Sequence, residues 1–227
     1  MKKYGLQIAY VCLLSACLPL LFAWLWLLTP VLEHFVEGTS GYILLTVGLP
    51  VFLYWGVVVL LGIANAVHAF RICKMNQEVE CVNSMLILKY GLVLFFCINF
   101  IALVCWYFAV TLGIMVVSRG TALFLSPVLV PLLIVWIGLA VVGTWLAILP
   151  GSCYSMQVLR LAYRQGKLKR GAVILHGLLQ FVFLADVLDT MYLAVKLYGR
   201  GKRSSIAVAA LYVLVMAGIA ASVFVIK

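Results

Sequence analysis

The sequence predicts an all-α integral membrane protein, and three observations carry that expectation. Of its 227 residues, 67% are hydrophobic and 10% charged, with a mean hydropathy of +1.24. A soluble chain of this size could not bury that much apolar surface. The excess is also gathered into six blocks, at about 6–28, 42–67, 86–117, 122–148, 172–196 and 205–226. Each is near or above the roughly 20 residues needed to cross about 30 Å of hydrocarbon. The loops between them are too short for a soluble domain, so residues 1–227 read as a single polytopic transmembrane domain.

The first block follows Lys2 and Lys3. Leu14-Ser15-Ala16-Cys17 resembles a lipoprotein cleavage box, but the apolar run continues to Leu28, which favours an uncleaved first span. Trp24 and Trp26 suit an interfacial aromatic belt. Residues 30–41 carry Glu33, His34 and Glu37 without Lys or Arg, as an external loop does. The second block ends in Asn65, His68, Arg71 and Lys74 on one helix face, a basic headgroup-facing stripe, and the loop to Lys89 belongs in the cytoplasm. The third block has one embedded amide, Asn99, and the fourth opens with Pro127 and Pro131 and closes at Pro150-Gly151. Residues 152–170 read as a short amphipathic helix on the inner leaflet. Its Arg160, Arg164, Lys167, Lys169 and Arg170 face anionic lipid headgroups.

An internal echo links the second and fourth blocks (Pro50 and Trp55, Pro131 and Trp136) and the third and fifth (Ile87-Leu88, Ile174-Leu175). It suggests a duplicated helical hairpin. Charge pulls the other way. Six crossings with the N-terminus in the cytoplasm leave eleven of the 16 Lys and Arg inside and Arg119, Lys196, Arg200, Lys202 and Arg203 outside. Five crossings plus a re-entrant segment at 171–198 put fourteen inside and only Arg119 and Lys227 outside. The positive-inside bias favours the second arrangement, while segment length and the echo favour the first.

That fifth segment is the chemically unusual one. Within apolar sequence it carries His176, Gln180, Thr190 and the protein's only aspartates, Asp186 and Asp189. An ionised Asp at mid-bilayer opposes insertion by about 2.5–3.5 kcal/mol, whereas each Leu, Ile, Phe or Val favours it by about 0.3–0.6. Thirteen such apolar residues then contribute roughly 4–8 kcal/mol against about 5–7 for the two acids. The segment is near break-even unless neighbours or water cover its polar face. As one continuous helix it places Asp186, Thr190, His176 and Gln180 within an arc of about 120°, with Asp189 about 60° outside. His176 and Asp186 are then about 15 Å apart along the axis, too far to share one small metal ion.

These features point to a protein that binds or translocates a small solute or cation, with Asp186 at the site. A ligand or ion path would run through Asp186, Asp189, His176, Gln180, Thr190 and Asn99. A non-catalytic membrane subunit of a larger complex, of transporter or immunity and assembly type, fits the same features. A membrane-embedded enzyme fits less well, since no nucleophile motif or HExxH is present. No cofactor motif or metal-ligand spacing stands out, and the seven cysteines are an odd set, most of them inside the apolar blocks. The expected partners are a bilayer with an anionic inner leaflet, that of the plasma membrane, and a second membrane protein. Nucleic acid is not among them, because the +10 charge follows the positive-inside bias and no folded module accompanies it.

Overall fold

The computed structural model describes residues 2–34, 46, 48–119, 126–182 and 185–225. Among them every regular element is a helix. In chain order these are α1 (Gly5–His34), α2 (Leu49–Lys74), α3 (Glu78–Val117), α4 (Ser126–Arg164), α5 (Arg170–Leu179), α6 (Ala185–Tyr192) and α7 (Lys202–Val225). A π-helical stretch, Leu193–Leu197, continues α6. Among the described residues, three stretches are long and apolar enough to cross a membrane: Gly5–Leu28, Leu49–Lys74 and Glu78–Asn99. Large apolar side chains such as Trp26, Phe52, Leu60 and Val117 are exposed, as suits a hydrocarbon surround rather than water. Residues 35–45, which include Glu37 of the expected external loop, and residues 120–125 lie outside the described residues.

The chain forms two compact units, one from residues 1–65 and 92–149, the other from 66–91 and 150–227, and α2, α3 and α4 each run through both. In the first unit, α1 buries Gln7, Tyr10 and Leu14, spaced three and four apart on one face. The Asn65 amide donates to the carbonyls of Leu61 (2.9 Å) and Leu6 (3.3 Å), and the Tyr54 hydroxyl donates to the Leu13 carbonyl. The bonds to Leu6 and Leu13 tie α2 to α1 with polar contacts, which hold their strength where no water competes.

The second unit departs from the sequence expectations in three places, each for a physical reason. The third helix starts at Glu78 rather than near 86, so Lys89 is a helical residue and not the end of a loop. Glu78 and Glu80 in the first turn favour that start by complementing the helix dipole. Lys89 shares a buried face with Met85 and Leu88. Secondly, α4 does not close at Pro150-Gly151 but continues to Arg164, so residues 152–164 are its last turns and not a separate amphipathic helix. Proline removes one donor from the helix ladder and crowds the preceding turn. In that turn the Tyr10 hydroxyl donates to the Ala147 carbonyl at 3.2 Å.

The third departure decides the site. Segment 171–198 is not one helix. It breaks after ten residues of α5 and resumes as α6. Contacts between the arms, His176 with Asp189 and Lys167 with Tyr198, are both centred on the same point of the chain, between residues 182 and 183. The arms are therefore those of an antiparallel hairpin. Its two ends meet, with the Lys167 ammonium 4.2 Å from the centre of the Tyr198 ring. The ends of a crossing helix would be separated by about 30 Å. The Tyr198 hydroxyl also donates to the Val158 carbonyl of α4 at 3.2 Å. The echoed segments thus differ in structure, since α3 runs unbroken where its counterpart folds back.

Candidate functional site

No glycine or proline lies between Leu178 and Asp186, so the break has no local breaker residue. Its cause is tertiary. A helix end leaves carbonyls without partners. Here the Gln180 carbonyl accepts from the Ser152 hydroxyl at 3.2 Å and from the Lys89 ammonium at 3.5 Å. The last turn tightens through bonds from the Phe181 N–H to the Leu178 carbonyl and from the Val182 N–H to the Leu179 carbonyl. After the turn, the Asp186 N–H donates to the Val182 carbonyl as α6 begins.

Lys89 is the pin of the arrangement. Its side chain is 1% exposed, and its ammonium donates to Asp186 Oδ2 at 2.9 Å, to Ser152 Oγ at 3.1 Å and to the Gln180 carbonyl. Three acceptors match the three hydrogens of an ammonium. Its stem passes over Gly151, where a Cβ would stand 3.2 Å from Lys89 Cε. Lys89 and Ser152 have the spacing of a serine–lysine catalytic pair, but the hydrogen bonds run the wrong way. The nitrogen donates to the serine, whose own hydrogen goes to Gln180, and both residues are buried. This half of the cluster is saturated and holds the hairpin in place.

The other half is not saturated. Asp189 accepts from His176 Nδ1 at one oxygen and from the Gln180 side-chain amide at the other. The carboxylate is 3% exposed and the imidazole 15%, so His176 stands between Asp189 and the outside of the unit. Tyr192 stacks on the imidazole, with ring centres 5.2 Å apart and planes 16° from parallel. Gln180 Oε1 and Thr190 Oγ1 are buried with no hydrogen-bond partner among the described residues. Buried acceptors in this state are costly unless something supplies a donor or a cation.

The structure therefore brings together five of the six expected path residues, although not on one helix face. His176 and Asp189, thirteen positions apart, touch because the helix folds back, so the 15 Å separation worked out for a continuous helix does not apply. Asp186, expected at the centre, is committed to Lys89, and Asp189 takes the open position. Asn99 belongs to the other unit, where its amide donates to the Phe95 carbonyl on its own helix at 2.8 Å. Arg160, Arg164, Lys167, Lys169 and Arg170 are all exposed. His68 pairs with the Tyr154 hydroxyl at 2.8 Å. Among the described residues no group of three His, Cys, Asp or Glu could hold a metal. Lys89 and Ser152 were not expected at the site. One signal for Lys89 was present: it is the single charged residue between Glu80 and Arg119, and a lone cation in apolar sequence needs a buried anion.

Residues 9–200 match a family of unknown function, DUF6652. The chain belongs to that family. The match takes in the whole hairpin and every residue of the DUF6652 chain's polar cluster, and stops short of α7. No curated protein matches, and neither does any solved structure.

Proposed function

We propose that this is an integral protein of the plasma membrane, with a cytoplasmic N-terminus, that binds or translocates a small solute or cation at the His176–Asp189 end of the cluster. The observation that carries this reading is the broken segment. Discontinuous helices, whose free ends and unwound turns face a cavity, are how many membrane transporters build binding sites. Here the break gathers two carboxylates, a partly exposed imidazole and two oxygens without partners among the described residues. A protonated or metal cation, or the donor groups of a polar solute, would satisfy Gln180 Oε1 and Thr190 Oγ1.

The topology that goes with this reading is five crossings and a re-entrant hairpin at 171–198, rather than six crossings. The meeting of Lys167 and Tyr198 at the hairpin's base supports it, as does the positive-inside bias. Cysteines introduced at Lys169 and Ser204 in intact cells test it. Both should be labelled, or both protected, by the same impermeant reagent, and opposite labelling would restore six crossings.

Binding is tested by thermal-shift screening of purified protein against sodium, potassium and ammonium salts and a panel of amines, amino acids and sugars. A stabilising hit should lose its effect in His176→Ala and Asp189→Asn, and keep it in Lys74→Gln, an exposed position at the end of α2. Hits that survive both site substitutions, or an absence of hits with folded protein, would overturn the proposal.

A further inference from the structure

The hairpin has a second surface that the cluster does not use. On α5, Ile174, Leu175 and Leu178 are exposed opposite the face that carries His176 and Gln180, and Leu188 on α6 is exposed as well. This apolar outer face rises directly from a basic base. Arg160 and Arg164 end α4, Lys167 lies in the turn that follows, and Lys169 and Arg170 open α5. The contacts of Tyr198 with Lys167 and Val158 bring the returning arm to the same place, and with it Arg200, Lys202 and Arg203, all exposed, while the exposed Lys196 reaches over the Tyr192 ring. In sequence these are two basic runs about thirty residues apart. In the fold they are one patch.

Little within the unit offsets that charge. Its four carboxylates are Glu78, Glu80, Asp186 and Asp189. The aspartates are committed inside the cluster, Glu80 is buried, and half-buried Glu78 accepts from Gln165. A surface with this concentration of guanidinium and ammonium groups calls for phosphate-type anions from outside. The adjoining apolar face says which source. Inorganic phosphate or a nucleic acid would engage the base and leave the outer face unused, whereas a phospholipid offers an acidic headgroup and acyl chains in the required order. We infer that the base of the hairpin is a binding site for an acidic phospholipid, its headgroup held between the 160–170 and 196–203 segments and its chains lying along the outer face of α5. Such a lipid would brace both ends of the hairpin at once, which links membrane composition to the geometry of the His176–Asp189 site.

The inference rests on the hairpin's return to its starting face and not on solute binding. The test is native mass spectrometry of delipidated protein titrated with tetraoleoyl cardiolipin, dioleoyl phosphatidylglycerol or dioleoyl phosphatidylcholine. Cardiolipin or phosphatidylglycerol should bind at least tenfold more tightly than phosphatidylcholine. Two variants follow, Arg160→Gln/Arg164→Gln and Arg200→Gln/Lys202→Gln/Arg203→Gln, each checked for native helicity. Either should weaken acidic-lipid binding by about tenfold or more, since one headgroup contacts both segments, and lysine at the arginine positions should restore most of it. Equal affinity for phosphatidylcholine overturns the site. So does loss confined to one of the two variants, or displacement of bound lipid by millimolar inorganic phosphate. Because none of these residues lies in the cluster, failure of the lipid site on these criteria leaves the solute site to be decided by its own thermal-shift test.

Discussion

Removing the Lys89 ammonium is the perturbation whose consequence the structure defines most closely. Lys89→Met keeps most of the stem's volume but leaves Asp186, whose side chain is 5% exposed, as a buried anion without its partner. Breaking a buried pair in this way costs about 3–5 kcal/mol, most of it the desolvation of the abandoned charge. Asp186→Asn strands the cation instead, with Ser152 and the Gln180 carbonyl still in place as acceptors, so its cost belongs at the lower end of that range. The double variant abandons no charge. It loses the pair and one acceptor set, about 1–2 kcal/mol, and should be more stable than either single variant. The coupling energy is then about 4–7 kcal/mol, above the range usual for neighbouring residues because each single variant strands a buried charge. Equilibrium unfolding in mixed detergent and SDS micelles, followed by circular dichroism, measures all four corners of this cycle. Additive single costs would show that Lys89 and Asp186 do not share a buried bond, and the account of the hairpin's break would go with it.

Two further substitutions probe what holds the hairpin. At Gly151, a Val side chain would begin 3.2 Å from Lys89 Cε and 3.3 Å from Cδ, so Gly151→Val should cost about 1–3 kcal/mol. In a Lys89→Ala background the same change should be nearly neutral, and an undiminished cost there would place the clash elsewhere. Gly201 adopts a φ of +70°, and an added Cβ would lie 2.6 Å from Leu86 Cδ1. Gly201→Ala therefore combines left-handed strain of about 1–2 kcal/mol with a steric clash. The same unfolding assay should show that loss, and wild-type stability would mean that the hairpin base is not seated on α3 as described.

The membrane class of this chain is legible in its composition, because transfer of apolar side chains to hydrocarbon is a sum over residues and needs no knowledge of their neighbours. The cost of placing Asp186 and Asp189 in an apolar segment is legible for the same reason, and it singles out the stretch in which the polar cluster forms. What the residues alone could not show is that the stretch folds back. The break at Gln180 has no glycine or proline to announce it. It exists because Lys89, 91 positions earlier, and Ser152, 28 positions earlier, supply the donors that its carbonyl loses when the helix stops. A periodicity argument assumes an unbroken helix, and on that assumption His176 and Asp189 lie on different faces and different turns. The charge bias at 196–203 favours a segment that returns to its starting face, since it sums over loops in the way hydropathy sums over spans. Terms that add residue by residue were thus fixed by the chain itself, while partner choice between distant polar groups in a low-dielectric interior was settled only by tertiary packing.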